Sequence, residues 1–385
     1  MRNFVVFFSV SLLFVGCTLK TAQERGLPVI DLSQNSRPKI EEQFMELVKY
    51  IPLETRDDVL IDRRRRLVYF SDERIVIVNS RLGDFFVFDG NGKIISTFNR
   101  LGPGPEDYPR MSLHTAVAFD GQNKEIFVLD RGLAQVYHED GRHLRSFHFP
   151  SRMLINEAFC FDEKSLLVYN GNTNTDSAFI FMSKKDGAIL SIIDVPFENR
   201  ISNYLELSGR RVLLGVPQKP LLKDGDRFIL SDMSSDTIYV LSKDKQLTPL
   251  AVRTPSVHEY GEDRPFRVFQ PLKAGERFIV GYYFQHDLHQ QDLTALQQPD
   301  ATMVVYDMIT QQTFDFNAIS DAYLRGYSVN DVGAYLPSAI YVTSSFPDVI
   351  LRDFEDGKLE GFPIKNIASK LDGEDNPVLE VVRIK

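Results

Sequence analysis

The sequence predicts an all-β protein: a six-bladed β-propeller of four-stranded blades, with the ring closed by N- and C-terminal strands. Three observations carry this prediction. Short apolar runs recur six times at a mean spacing of about 53 residues, each followed by a polar turn. The runs are apolar at consecutive positions, as in strands covered on both faces. Helical periodicity is weak across the 385 residues, apart from a short helix predicted over 364–371.

The chain begins Met1-Arg2-Asn3, continues with an apolar run over residues 4–15, and reaches Gly16-Cys17. One positive charge ahead of a short apolar run is the pattern of an export signal, and the run is too short to span a bilayer as a helix. Phe14-Val15-Gly16-Cys17 resembles a bacterial lipobox, with Phe14 where leucine is commoner. Residues 1–16 therefore read as a signal peptide, 17–40 as a polar tether lipidated at Cys17, and 41–385 as the propeller. Cys160 is then left without a partner. Its setting, Ala158-Phe159-Cys160-Phe161, reads as a buried strand position where apolar surroundings keep a thiol unreactive.

The blades follow in order. Their second strands begin at residues 75, 126, 166, 228, 278 and 340, and inner strands precede four of them at 67–70, 116–119, 158–161 and 267–269. Hairpin turns follow, among them Asn91-Gly92, Asp140-Gly141, Asp186-Gly187 and Asp356-Gly357; such pairs tolerate the positive φ that tight hairpins require. In the sixth copy, Val349-Ile350-Leu351 reads as the strand before the turn. Residues 47–53 and 377–382 read as strands that complete one blade from both chain ends and remove the exposed edge.

Composition excludes some functions. The net charge of −9, or −10 once Arg2 is removed with the signal, supplies no positive field for tracking phosphates, so no nucleic-acid partner is expected. There are 29 Phe and 15 Tyr but no Trp, so any stacking on a ligand must come from Tyr or Phe.

Three stretches together, Val48-Lys49-Tyr50-Ile51-Pro52-Leu53-Glu54-Thr55, Phe98-Asn99-Arg100-Leu101-Gly102-Pro103-Gly104-Pro105-Glu106-Asp107-Tyr108 and Asn376-Pro377-Val378-Leu379, resemble the six-bladed β-propeller lipoproteins of gut and oral Bacteroidota, NHL-like propellers of unassigned activity. The resemblance covers residues 40–385. It implies a lipid anchor in the outer membrane, facing the periplasm or the cell surface. In that family the glycine-proline stretch more often ends Gly-Glu-Tyr, so this loop carries an extra residue. The resemblance leaves the chemistry open.

Up-and-down strands place the long connections, 99–114, 170–177, 254–265, 283–301 and 317–336, on one face, where a binding site belongs. Ligand-binding candidates there are Arg100, Glu106, Tyr108, His258, Tyr260 and His286. Residues 102–108 read either as an anion cradle of backbone amides or as a stiff blade connection. His286-Asp287-Leu288-His289 has a spacing that suggests metal ligands, but no catalytic glutamate motif adjoins it, and no metal or cofactor is expected. Residues 170–176 alternate oxygen-bearing side chains without a calcium loop's terminal glutamate and read as a solvated turn. Arginines 63–66 read as an exposed charge run. With no Gly-x-Ser-x-Gly, P-loop or dinucleotide motif present, the sequence reads as a non-catalytic envelope module that binds a small ligand, a peptide or an envelope protein. The alternatives are a metal-dependent lyase or hydrolase with its site at the propeller axis, and an architectural subunit of an outer-membrane complex.

Overall fold

The computed structural model describes residues 26–34, 37–112, 115–175, 177–197, 199–202, 204–207, 210–214, 219–261, 263–287, 300–316 and 336–385; the signal peptide, Cys17 and the first part of the tether lie outside them. Strands β1 (Val29–Asp31) and β2 (Met45–Pro52) come first. Blade 1 is β3 (Arg65–Phe70), β4 (Arg74–Asn79), β5 (Phe85–Asp89) and β6 (Ile94–Phe98). Blade 2 is β7 (Ala116–Asp120), β8 (Glu125–Asp130), β9 (Leu133–His138) and β10 (His143–His148). Blade 3 is β11 (Ile155–Cys160), β12 (Ser165–Asn170), β13 (Phe179–Ser183) and β14 (Ile189–Ile193). A hairpin, β15 (Tyr204–Leu207) and β16 (Arg210–Leu213), leads to blade 4: β17 (Leu221–Asp224), β18 (Arg227–Leu230), β19 (Thr237–Leu241) and β20 (Leu247–Thr254). Blade 5 is β21 (Phe266–Ala274), β22 (Phe278–His286), β23 (Asp300–Asp307) and β24 (Gln312–Asp315). Within each of these five blades the hydrogen-bonded order follows the chain.

Blade 6 joins the chain ends, as the sequence predicts. β25 (Ile340–Ser345) pairs with β26 (Val378–Ile384), and β26 pairs with β2 from Met45↔Ile384 to Pro52↔Val378. The ring thus closes by hydrogen bonds between segments more than 300 residues apart.

Two-sided burial explains why the runs are apolar at consecutive positions. In β4, Ile75 and Ile77 pack with Val342, Leu379 and Val381 of blade 6, whereas Val76 and Val78 pack with Val117, Phe119 and Val128 of blade 2. In β12, Leu166 and Val168 face blade 2 and Leu167 and Tyr169 face blade 4. Alternate residues of one strand therefore serve two different cores. Turn glycines fit blade to blade. Gly141 has φ +84°, and a Cβ there would lie 2.4 Å from the Phe98 Cβ of the preceding blade. Gly92, also at φ +84°, would meet the Pro52 carbonyl oxygen in the same way.

The sequence misplaces two elements. Val349-Ile350-Leu351 forms no strand but lies in helix α1 (Pro347–Glu355), followed by α2 (Phe362–Ala368) close to the predicted helix. Pro347 opens α1 and Asp348 lies in its first turn, where a missing N–H and a negative charge are both favourable. Gly357, at φ +69°, ends it as a helix C-terminal glycine rather than turning a hairpin. The other misplacement is in the tether. Ile30 and Leu32 are apolar enough to bury, and β1 pairs in parallel with the edge strand β20. Lys39 then bridges to Asp315 on β24 before the chain enters β2. From Val29 onward the expected tether is thus a strap along the outer edges of blades 4 and 5. No described helix is long and apolar enough to cross a membrane.

Candidate functional site

The candidates at residues 99–115 lie in the connection from blade 1 to blade 2, and its inward groups are occupied. The Tyr108 ring is buried against Phe85 and Tyr137. Its hydroxyl donates to the Gly83 carbonyl at 2.6 Å and accepts the Arg100 N–H at 2.7 Å, and burial pushes its pKa upward. Arg100 Nε donates to the Gly141 carbonyl of blade 2 at 3.1 Å. The amides expected to cradle an anion have acceptors within the loop: Asp107 Oδ2 takes the Gly104 N–H at 3.0 Å and the Tyr108 carbonyl takes that of Gly102 at 3.3 Å. Gln135 and Tyr137 of β9 donate to the carbonyls of Pro105, Glu106 and Asp107. The Glu106 carboxylate is exposed and lies 3.7 Å from the His143 ring. These bonds give the loop the geometry of the stiff connection.

His258, Tyr260 and His286 gather between blades 4 and 5. His258 Nε2 donates to the Ser234 carbonyl at 2.8 Å. The Tyr260 ring packs edge-on to Phe266 at 5.8 Å, and Phe266 pairs across the sheet with the buried His286. Burial raises the Tyr260 pKa. The contacts described for this trio lie in blades 4 and 5, and those of Arg100, Glu106 and Tyr108 in blades 1 and 2. His289 lies outside the described residues. Among those described, no three His, Cys, Asp or Glu side chains converge as a metal site.

Sequence reasoning missed a polar belt on the innermost strands and the residues that lead into them. The arginine run is only half exposed: Arg63 and Arg64 face solvent, while Arg65 and Arg66 are buried. Arg65 hydrogen-bonds Ser344 of blade 6 and lies over the Phe346 ring, which Arg63 also covers, both at 4.6 Å. With the Arg63–Asp348 ion pair at 2.7 Å, the run pins the start of α1 to blade 1. Arg66 Nη2 donates to the Thr115 carbonyl at 2.8 Å, and its guanidinium acts electrostatically on Glu157 of β11. Glu157 pairs with Lys219 at 2.7 Å, and the Lys219 carbonyl accepts from Gln270 Nε2 of β21, also at 2.7 Å. The belt thus draws on blades 1 to 5. Burial pulls the Arg66 pKa down and Glu157 opposes that pull, yet a guanidinium keeps its charge at any physiological pH. Two cations facing one carboxylate leave a net positive, donor-rich lining suited to holding polar or anionic groups. The visible signal was a charged or amide residue interrupting an inner strand, as Glu157 does in β11 and Gln270 in β21.

A separate groove of about 660 Å³ lies at the rim between α2, the end of β2 and the β5–β6 turn, lined in part by Leu53, Glu54, Lys93, Ile367, Lys370 and Asp375. Glu54 there accepts the Ile94 N–H and Asp375 that of Asp372. The polar side chains drawn from several blades meet at the belt, not in this groove.

Residues 27–383 match the family model described as "Domain of unknown function (DUF4934)". A Bacteroides fragilis protein described as exported superposes with a TM-score of 0.62 at 15% identity, over 93% of this chain and 99% of its own. A DUF4221 family member from Bacteroides vulgatus aligns at TM-score 0.48 and 11% identity, over 89% and 98% of the two chains. No curated protein matches the sequence. The first likeness establishes a shared fold and nothing about chemistry.

Proposed function

Since the chain belongs to the DUF4934 family, whose description assigns no activity, we propose that it is a lipid-anchored envelope propeller that binds a ligand or protein partner through its long-loop face and performs no chemistry of its own. The observation that carries this reading is the belt of Arg66, Glu157, Lys219 and Gln270 on the inner strands. It offers charges and amides for recognition, and no nucleophile in it is paired with a base. The connections at 99–115 and 254–265 each run from the last strand of one blade to the first strand of the next, so strand alternation supports a shared face for them. Envelope placement is supported by the lipobox-like Phe14-Val15-Gly16-Cys17 and by the fold shared with a protein described as exported.

Two measurements test the proposal. Metabolic labelling with a radioactive fatty acid should mark the wild type and leave Cys17→Ser unlabelled; an unlabelled wild type overturns the anchor. Purified protein presented with panels of envelope glycans, peptides and envelope proteins should bind at least one without converting it. Binding to none, or turnover of any of them, overturns the binding role.

A further inference from the structure

Arg37 sits where the N-terminal strap passes from blade 4 to blade 5. Only 9% of the residue is exposed, and its guanidinium carbon lies 4.0 Å from the centre of the Tyr283 ring. Its Nε and Nη2 atoms are both buried and have no hydrogen-bond acceptor among the described residues. These two groups form one edge of the planar guanidinium, the edge whose parallel N–H bonds match two oxygens of a carboxylate, phosphate or sulfate. The cation–π contact with the tyrosine holds the guanidinium beside the ring without using the hydrogen-bonding capacity of that edge.

Such a group calls for a counter-charge. A lysine in the same place could shed its proton, but arginine cannot, so a buried and unpaired fork is costly until an anion meets it. The only carboxylate shown to act on it among the described residues, Asp31, does so electrostatically and without a direct hydrogen bond to the fork. Asp31 spends its carboxylate on Ser33 and on Gln34, at 2.8 Å and 3.3 Å, and no ion pair joins it to Arg37 among the described residues. Gln285 Oε1 accepts from the Tyr283 hydroxyl at 2.8 Å and from Arg267 Nε at 3.2 Å. A second guanidinium is thereby tied to the same ring, and neither arginine is hydrogen-bonded to a carboxylate among the described residues.

We propose that the Nε–Nη2 edge of Arg37 is an oxyanion site at the junction of the strap and blade 5, receiving the carboxylate or phosphate group of a ligand. The site is separate from the polar belt, so it stands or falls independently of the loop-face reading. Its occupation would also fasten the strap, because Arg37 is a strap residue while Tyr283 belongs to the ring.

The test titrates inorganic phosphate, and in a second arm acetate, into the purified full chain at constant ionic strength while thermal unfolding is followed. The proposal expects saturable stabilisation in at least one arm. Phosphate alone identifies a phosphoryl ligand, acetate alone a carboxylate, and both together a general oxyanion site. Arg37→Lys keeps the positive charge but lacks the paired edge, and should raise the half-saturating concentration at least tenfold. Arg64→Gln, at an exposed position of the arginine run, should titrate like the wild type. Far-ultraviolet circular dichroism checks that each variant is folded. As a second readout, phosphate should slow phenylglyoxal modification of Arg37, followed by peptide mass spectrometry. Absence of saturable stabilisation by either anion beyond that of chloride, or an Arg37→Lys titration equal to the wild type, overturns the proposal.

Discussion

Replacing Gly141 with alanine should cost far more than the same change at Gly357, although both glycines have positive φ. At Gly141, φ is +84° and the new Cβ would lie 2.4 Å from Phe98 Cβ and 2.5 Å from its Cγ. Phe98 cannot easily retreat, since its ring stacks on Phe85 at 4.9 Å and touches Tyr137 at 5.8 Å. The left-handed backbone costs a residue with a Cβ about 1–2 kcal/mol. Overpacking against a fixed ring adds about 1–3 kcal/mol. Gly141→Ala should therefore lose about 2–5 kcal/mol of stability, the sum of these two effects. At Gly357, φ is +69° and nothing lies within 4 Å of the added carbon, so only the backbone cost of about 1–2 kcal/mol applies. Urea titrations followed by tyrosine fluorescence would measure both, with the m-value unchanged if the transition remains two-state. Equal losses at the two positions would refute the idea that the turn glycines exist to seat one blade against the next.

Three further predictions follow from individual contacts. Lys273→Met should destabilise by about 3 kcal/mol in the same assay, because it strips the fully buried Asp224 of an ion pair at 2.8 Å and leaves Arg227 and the Ala339 N–H to hold the carboxylate; a loss below about 1 kcal/mol would show that the pair contributes little. Tyr108→Phe should cost about 1–2 kcal/mol by orphaning the Gly83 carbonyl and the Arg100 N–H, while ligand binding by the folded protein stays intact; lost binding at full stability would instead make Tyr108 a contact residue. Burial lowers the Lys223 pKa to about 8, so between that pH and the ordinary lysine value near 10.5 the unfolded chain binds the extra proton, and stability rises with pH by up to about 1.4 kcal/mol per unit. Lys223→Met should remove that rise relative to the wild type, and an unchanged slope would place the titration elsewhere.

The ring was legible in the sequence because its strongest physical requirement leaves a local trace. Ile75, Val76, Ile77 and Val78 must all be apolar when successive residues face different blades, and a turn packed as closely as that at Gly141 accepts only glycine. The same local signals also misled. Asp356-Gly357 suits a hairpin and a helix end equally, and only the packing of α1 and α2 over blade 6 decides between them. Docking of the strap depends on β20 presenting a free edge 220 residues away, which no local pattern around Ile30 reveals. The site was less legible than the fold. Arg63 to Arg66 look alike as letters, but the turn before β3 leaves Arg63 and Arg64 exposed while the start of the strand buries Arg65 and Arg66. Glu157, Lys219 and Gln270 are scattered along the chain, and only ring closure links them to one another.

The claim that the polar belt is the recognition site is tested most directly by Arg66→Gln combined with Glu157→Gln. Fluorescently labelled wild type and double variant would be applied to one array of envelope glycans and peptides. The account predicts at least one spot bound by the wild type whose apparent affinity falls tenfold or more in a double variant that still unfolds cooperatively. The same spots bound with the same affinity by the double variant would contradict it.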